Sequence, residues 1–132
     1  KRINMADGGG VFGEFFKNRR MSLGMTLRGF CSKNGFDPSN VSKIERGVWP
    51  PPEGDEDRKK YAQALGLRPG SPDWQRFMDL ASAGTGTFKV RNVTDEDVLE
   101  RLPVLFRSVD KADLSAEQLD RIIEFVKKSE TK

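Results

Sequence analysis

The sequence contains no histidine, and its one cysteine is Cys31. Histidine is the commonest general base and the commonest metal ligand in proteins, so its absence argues against the usual hydrolytic and zinc-binding sites. A single cysteine cannot form an intrachain disulfide, and Cys31 stands among apolar neighbours, which favours a small buried side chain. We therefore expect neither an enzyme nor a bound metal or cofactor.

Long apolar runs are missing as well. No stretch of about 18 apolar residues is available to cross a membrane, and the charged start of the chain has no apolar segment of signal-peptide length behind it. These absences predict a cytoplasmic protein without membrane association. Residues 1–10 are interpreted as a flexible N-terminal lead or a tag remnant, because Met5 would be a natural start and Ala6–Gly10 a flexible segment.

Basic residues are concentrated in the first half of the chain. Apolar residues make up 36% and charged residues 33% of the 132 residues, a composition typical of globular proteins. Residues 11–70 carry eleven Lys or Arg against seven Asp or Glu, a net charge of +4, whereas residues 71–132 carry ten against twelve, a net charge of −2. A polyanion would therefore bind to the first half.

Cap residues and apolar spacing predict five helices in this half and just beyond it. Asp37-Pro38 and Ser71-Pro72 each place a capping side chain before a proline at the first helical position, and Thr26 is a further N-cap. Gly24 and Gly35 suit the left-handed turn that ends a helix. The predicted helices, each with an apolar stripe for a core, cover about 12–23, 27–34, 38–46, 55–65 and 72–83.

The rest of the chain is predicted to be mostly helical. Alternating residues from Phe88 to Val93 indicate a short strand or an extended linker. A helix that opens near Thr94 must be interrupted or kinked at Pro103. Ser115 and Gln118 have the spacing of a capping box before a last amphipathic helix.

The most informative pattern is the pair of short helices joined by a glycine-bearing turn. Helices of this length are not stable alone, and such a pair holds one helix at a fixed angle, as a recognition helix is presented to DNA. From Phe12 to Leu67 the sequence resembles the Cro/repressor-type (XRE-like) helix-turn-helix family. The resemblance rests on Phe12-Gly13-Glu14, Arg20, Gly24, Thr26-Leu27, the run from Gly35 to Gly47, and the run from Ala62 to Leu67.

The resemblance implies an all-α fold, in which a five-helix Cro/repressor-like helix-turn-helix domain precedes a mostly helical C-terminal extension. We place the DNA-binding domain at residues 11–70 and the extension, for dimerisation or partner binding, at residues 71–132. The implied function is a sequence-specific DNA-binding transcription regulator, most simply a dimeric repressor. Such a protein would be associated with the nucleoid of a prokaryotic or phage-type system.

Helix 3 would enter the major groove with one exposed face, because Val41 and Ile44 occupy its buried side. Lysine and serine can hydrogen-bond the edges of bases, and helix N-termini attract phosphate. Without the family pattern, Lys43 and Arg46 would be ordinary solvated charges. The assigned base-reading residues are Pro38, Ser39, Ser42 and Lys43, the phosphate-contacting residues are Thr26, Asn40 and Arg46, and the structural ion pair is Arg20 with Glu45.

Two regions depart from the family pattern. Many relatives carry glutamine directly after the threonine that starts helix 2, where this chain has Leu27. Relatives also often place basic residues just past the recognition helix, where this chain has Val48 and Trp49. Trp49 would either pack against the proline run that follows it or lie along the sugar-phosphate backbone with its ring N–H donating.

The extension carries more apolar residues than one or two helices need, among them Trp74, Phe77, Phe88, Leu102 and Phe125. A shared homodimer core would explain them. Two recognition helices about one helical turn apart would then read a near-palindromic operator in double-stranded DNA. The alternative is an antitoxin that autoregulates its operon and binds a toxin through residues 71–132.

Overall fold

The structure is a computed structural model that describes residues 5–88, 90 and 92–129, with side chains from residue 10 onward. All regular structure in these ranges is α-helical, which confirms the predicted all-α class. The chain divides into two compact units, Lys1–Lys89 and Val90–Lys132. The helices are α1 Met5–Ser22, α2 Leu27–Asn34, α3 Pro38–Glu45, α4 Asp55–Ala64, α5 Pro72–Thr85, α6 Glu96–Ala112 and α7 Ala116–Ser129.

The core of the first unit is built around α1. This helix packs most extensively against α5 and next against α3, and its Phe12 and Phe16 are fully buried. The ring centroids of Phe12 and Phe77 lie 5.0 Å apart and those of Phe16 and Phe30 lie 5.7 Å apart, both edge to face. Aromatic pairs in this orientation attract each other beyond the effect of burying their area.

Helix α5 belongs to the first unit, so the division falls after residue 89 rather than after residue 70. Phe77 is fully buried, and its ring centroid also lies 6.4 Å from that of Phe15. Trp74 is half-buried against the same core. Both side chains therefore pack within their own chain, whereas they had been expected to contribute to a shared homodimer core. The boundary predicted at residue 70 followed the family resemblance and the change in net charge, and neither of them reveals the burial of α5 against α1.

Helix α1 begins at Met5, well before the predicted start at Phe12. It therefore includes residues 5–10 of the segment interpreted as a flexible lead, while residues 1–4 lie outside the described residues. Once the buried turns at Phe12 and Phe16 have formed, each further residue adds a backbone hydrogen bond without a new nucleation cost.

At two points of the following segment the sequence left alternatives open. Of the strand or extended linker expected near residues 88–93, residues 88, 90, 92 and 93 form no strand, because a lone alternating segment has no neighbouring strand to bond; Lys89 and Arg91 of that segment lie outside the described residues. Of the interruption or kink expected at Pro103, the interruption does not occur, since α6 continues through that residue. A proline removes one backbone hydrogen bond, and the remaining hydrogen bonds of this long helix keep it continuous.

The helix caps predicted from the sequence are present. A carboxylate oxygen of Asp37 accepts a hydrogen bond from the amide two residues later at 2.8 Å. Ser71 Oγ accepts the amide three residues later at 3.1 Å. Ser115 and Gln118 form the reciprocal capping box, at 2.8 and 3.1 Å. Each bond satisfies an amide that the helix leaves without a partner.

A buried arginine, Arg58 of α4, joins three parts of the first unit. Its Nε donates to the carbonyl oxygen of Pro52 at 2.7 Å. Its Nη1 and Nη2 donate to Ser82 Oγ at 3.2 Å and to Thr85 Oγ1 at 3.1 Å. Since these acceptors belong to the proline connector and to the end of α5, the guanidinium fixes both of them to α4.

The second unit contains α6 and α7, whose apolar side chains face solvent. Both helices lie wholly within the described ranges, and neither has a buried residue. Phe106 is 50% exposed and Phe125 is 73% exposed. In the described part of the chain, no helix combines the length and apolar character that a membrane span requires.

Candidate nucleic-acid interface

Helices α2 and α3 are joined by the turn at residues 35–37. Gly35 takes the left-handed conformation, with φ 75° and ψ 30°, and the amide of Phe36 donates to the carbonyl oxygen of Cys31 at 2.9 Å. The Phe36 ring packs on Tyr61 of α4, with 4.5 Å between ring centroids. The turn is therefore held by its backbone and by an aromatic anchor.

The inner sides of the two helices are buried together. Phe30 and Cys31 of α2 and Val41 and Ile44 of α3 all belong to the core of the first unit. Burial raises the pKa of the Cys31 thiol above its ordinary value of 9.0, with smaller contributions from neighbouring charges. The thiol is therefore neutral at pH 7, as the interpretation of Cys31 as a small buried side chain requires.

The end of α3 lies directly against α1 at Gly13. A Cβ atom built on Gly13 would stand 2.5 Å from the carbonyl oxygens of both Ile44 and Glu45. Atoms do not approach so closely without displacing backbone, so only glycine permits this contact. Gly13 thus sets how close α3 lies to α1.

A buried ion pair fixes the same end of α3. Arg20 Nε donates to Glu45 Oε2 at 2.7 Å and Arg20 Nη2 to Glu45 Oε1 at 2.9 Å. Nη1 of the same guanidinium donates to the carbonyl oxygen of Met25, just before α2, at 2.8 Å. The hydrogen bonds to Glu45 are the main cause that raises the pKa of Arg20. Arg20 and Glu45 are thus paired as the family resemblance implied.

The outward face of α3 carries the residues assigned to base reading. Pro38 and Ser39 are exposed, while Ser42 and Lys43 are partly exposed. Residues three and four apart share one face of a helix, so Ser39, Ser42 and Lys43 lie on one side. Asn40, assigned to phosphate, is partly exposed like Ser42 and Lys43.

Lys43 and Ser42, the two central side chains of this face, each have a partner within the chain. Lys43 Nζ lies 4.9 Å from the centroid of the Trp49 ring, a cation–π contact. Arg46 Nε donates to Ser42 Oγ at 3.1 Å. The backbone amides of Val48 and Trp49 both donate to the Lys43 carbonyl oxygen, at 2.9 and 3.1 Å. Trp49 therefore extends the face, an arrangement that neither sequence interpretation of Trp49 included.

The start of α2 offers a second group of donors. Thr26 is exposed, and its Oγ1 accepts the amide of Gly29 at 3.0 Å. Gly29 keeps room for this cap, since a Cβ there would stand 3.1 Å from the hydroxyl oxygen. The first turn of α2 contains no acidic residue and carries the exposed Arg28. The helix dipole disfavours a cation at this end, so Arg28 does not stabilise α2 through the dipole.

Gly13, Arg28 and Trp49 are not among the site residues predicted from the sequence. Gly13 contacts residues more than thirty positions away, which no local pattern reveals. Arg28 could have been noticed as a basic residue in the first turn of a helix, where acidic residues are usual. For Trp49 the sequence predicted packing on the prolines or contact with the sugar-phosphate backbone, but not the contact with Lys43.

In the described part of the chain no group of three or more acidic or cysteine side chains is placed to hold a metal ion. Comparisons with protein-family models, curated proteins and solved structures gave no match.

Proposed function

We propose that the protein is a sequence-specific DNA-binding transcription regulator of the Cro/repressor-like helix-turn-helix type, which inserts α3 into the major groove and has no catalytic activity. One observation carries the proposal. The outer side of α3 exposes hydrogen-bonding side chains, while its end is fixed to α1 by the Gly13 contact and by the Arg20–Glu45 pair. A short helix held rigidly with one polar face outward is what direct readout requires.

The side chains of this face suit the edges of bases. Lysine donates to O6 and N7 of guanine, and a serine hydroxyl donates to or accepts from several bases. We assign these roles to Lys43, Ser42 and Ser39, with Pro38 making apolar contact. The Trp49 ring holds the Lys43 ammonium, which reduces the conformational freedom that Lys43 would lose on binding.

Phosphate contacts would flank this readout. Thr26 and the first amides of α2 can bind one phosphate group, because these amides precede the first intrahelical hydrogen bond. We add Arg28 to the residues assigned to phosphate contact and retain Arg46 and Asn40. Such contacts orient a protein on the duplex and make its affinity depend on salt.

The proposal is tested by titrating the full chain on DNA from upstream of its own gene and on random DNA, at several salt concentrations. Lys43→Ala should weaken binding to the specific site by roughly tenfold to a hundredfold. Arg28→Ala and Arg46→Ala should weaken both DNAs alike and lower the salt slope by about one unit each.

Lys59→Ala is the matched control, because Lys59 is exposed on α4 and its loss removes the same charge. It should leave the preference for the upstream DNA unchanged. If the wild type shows no preference over random DNA, or if Lys43→Ala and Lys59→Ala behave alike, the assignment of α3 as recognition helix is wrong.

An antitoxin with an autoregulatory DNA-binding domain is the second candidate. The observation that favours it is the exposed apolar surface of α6 and α7, which a toxin could cover. This candidate predicts the same DNA binding, but with a different protein rather than a second copy bound to that surface.

A further inference from the structure

Helices α6 and α7 each carry an apolar stripe, and neither helix has a buried residue in the described part of the chain. In α7 the stripe is Leu119, Ile122, Ile123 and Val126, at helical spacing, and all four are more than a third exposed. The two helices make few contacts with each other. Isolated helices of 14 and 17 residues are marginal in water without packing of their apolar face.

Ten large apolar side chains of α6 and α7, five on each helix, are between 37% and 73% exposed. Single exposed apolar side chains are common in monomeric proteins, whereas such a concentration of them is typical of a protein interface.

The charges beside the α7 stripe are complementary to a second copy of the same helix. Asp120 and Lys127 flank the stripe on one side, seven residues apart, and the midpoint between them falls at the middle of the stripe. When two such helices pack antiparallel, flanks on the same side meet. Each Asp120 then lies opposite Lys127 of the second copy, so both cross-chain pairs attract.

A parallel arrangement would lack this match. In a parallel pair, the side of the stripe that carries Asp120 and Lys127 would meet the opposite side of the second copy, which carries Gln118 and Phe125. We propose that α7 packs antiparallel on α7 of a second copy, with α6 completing the apolar layer, so that residues 96–129 form a two-fold homodimerisation unit. This pairing is argued from α6 and α7 alone and does not rest on the proposed function. The proposed function adds only that a dimer would present two α3 helices to DNA.

The antiparallel register is tested with two charge-reversed full chains, Asp120→Lys and Lys127→Asp. Each homodimer would place like charges opposite each other and should dissociate at roughly tenfold higher concentration than the wild type. An equimolar mixture restores both attractive pairs, so native mass spectrometry should show heterodimers in excess over both homodimers. Arg121→Glu, on the outer face of α7, is the control and should pair like the wild type.

The apolar stripe is tested with Ile122→Glu, which would bury a charge and should weaken dimerisation by about a hundredfold or more. Sedimentation velocity of the wild type over a wide concentration range gives the reference. A wild type that is monomeric throughout, an Ile122→Glu chain that dimerises normally, or a mixture without heterodimer preference would each overturn the proposal.

These outcomes are independent of DNA binding. A monomeric wild type that still prefers its upstream DNA would overturn the pairing and leave the proposed function standing. A dimer that shows no sequence preference would do the reverse. A monomer that takes up the product of the neighbouring gene on α7 would favour the antitoxin.

Discussion

The guanidinium of Arg20 and the carboxylate of Glu45 form a two-pronged ion pair, with side chains only 8% and 6% exposed. The pair joins the end of α1 to the end of α3, and through Met25 it also reaches the start of α2. Three of the elements that form the candidate interface therefore share one charged group.

Replacing one partner of this pair should be costly. Glu45→Gln keeps the shape but leaves the Arg20 charge buried without its counter-ion, and we expect a loss of about 3 kcal/mol in the free energy of unfolding. Urea unfolding followed by tryptophan fluorescence measures it. The exposed Glu53→Gln is the control. The double variant Arg20→Met, Glu45→Leu should recover much of the loss, and failure to recover would mean that the hydrogen bonds matter more than the charge.

The close contact at Gly13 gives a second prediction. Gly13→Ala would bring a methyl group against the carbonyl oxygens of α3, and the resulting strain should cost about 1–3 kcal/mol. Gly10→Ala is a matched control in the same helix, since a Cβ there meets nothing within 4 Å. It should stabilise the protein by up to about 1 kcal/mol because alanine favours helix. Thermal melts of both variants should move in opposite directions.

Stability should fall at alkaline pH. Burial raises the pKa of Cys31 above 9.0 and that of Tyr61 above 10.0, so both groups prefer the neutral form when the chain is folded. Their contribution is complete below these ordinary values and is lost as the pH rises towards the folded values. Tyr61→Phe keeps the aromatic packing and should flatten the alkaline decline, measured as urea midpoints against pH. An unchanged slope would contradict the role of Tyr61.

Trp49 should contribute to DNA affinity through Lys43. Trp49→Ala removes the ring against which the ammonium rests, and we expect specific binding to weaken about two- to fivefold, less than for Lys43→Ala. Trp49→Phe should lie between the two. The informative comparison is the double variant with Lys43→Ala: if Trp49 acts through Lys43, the two losses will not add.

Local chemistry allowed much of this fold to be predicted. The caps at Thr26, Asp37 and Ser71 act within a few residues, so their hydrogen bonds follow from the adjacent sequence. The same holds for the outward face of α3, because helical spacing alone separates Ser42 and Lys43 from Val41 and Ile44.

Contacts between distant segments could not be predicted in this way. Phe77 meets Phe12 across sixty-five positions, and this contact assigns α5 to the first unit. Arg58 finds its acceptors in the connector and in α5, although its neighbours in sequence are other charged residues. The amphipathic character of α7 was visible in the sequence, but only the structure revealed that none of the residues of this helix is buried.

Cys31 is the one cysteine of the chain and has no exposed surface. In the folded protein the Cys31 thiol should therefore not react with thiol reagents. No native residue has to be removed before a probe is attached. A cysteine introduced at Lys59 or at Arg121, both exposed, would carry a spin or fluorescent label selectively. Distances between labels on two copies, or between a label and the end of a DNA duplex, then become measurable on an otherwise unaltered background.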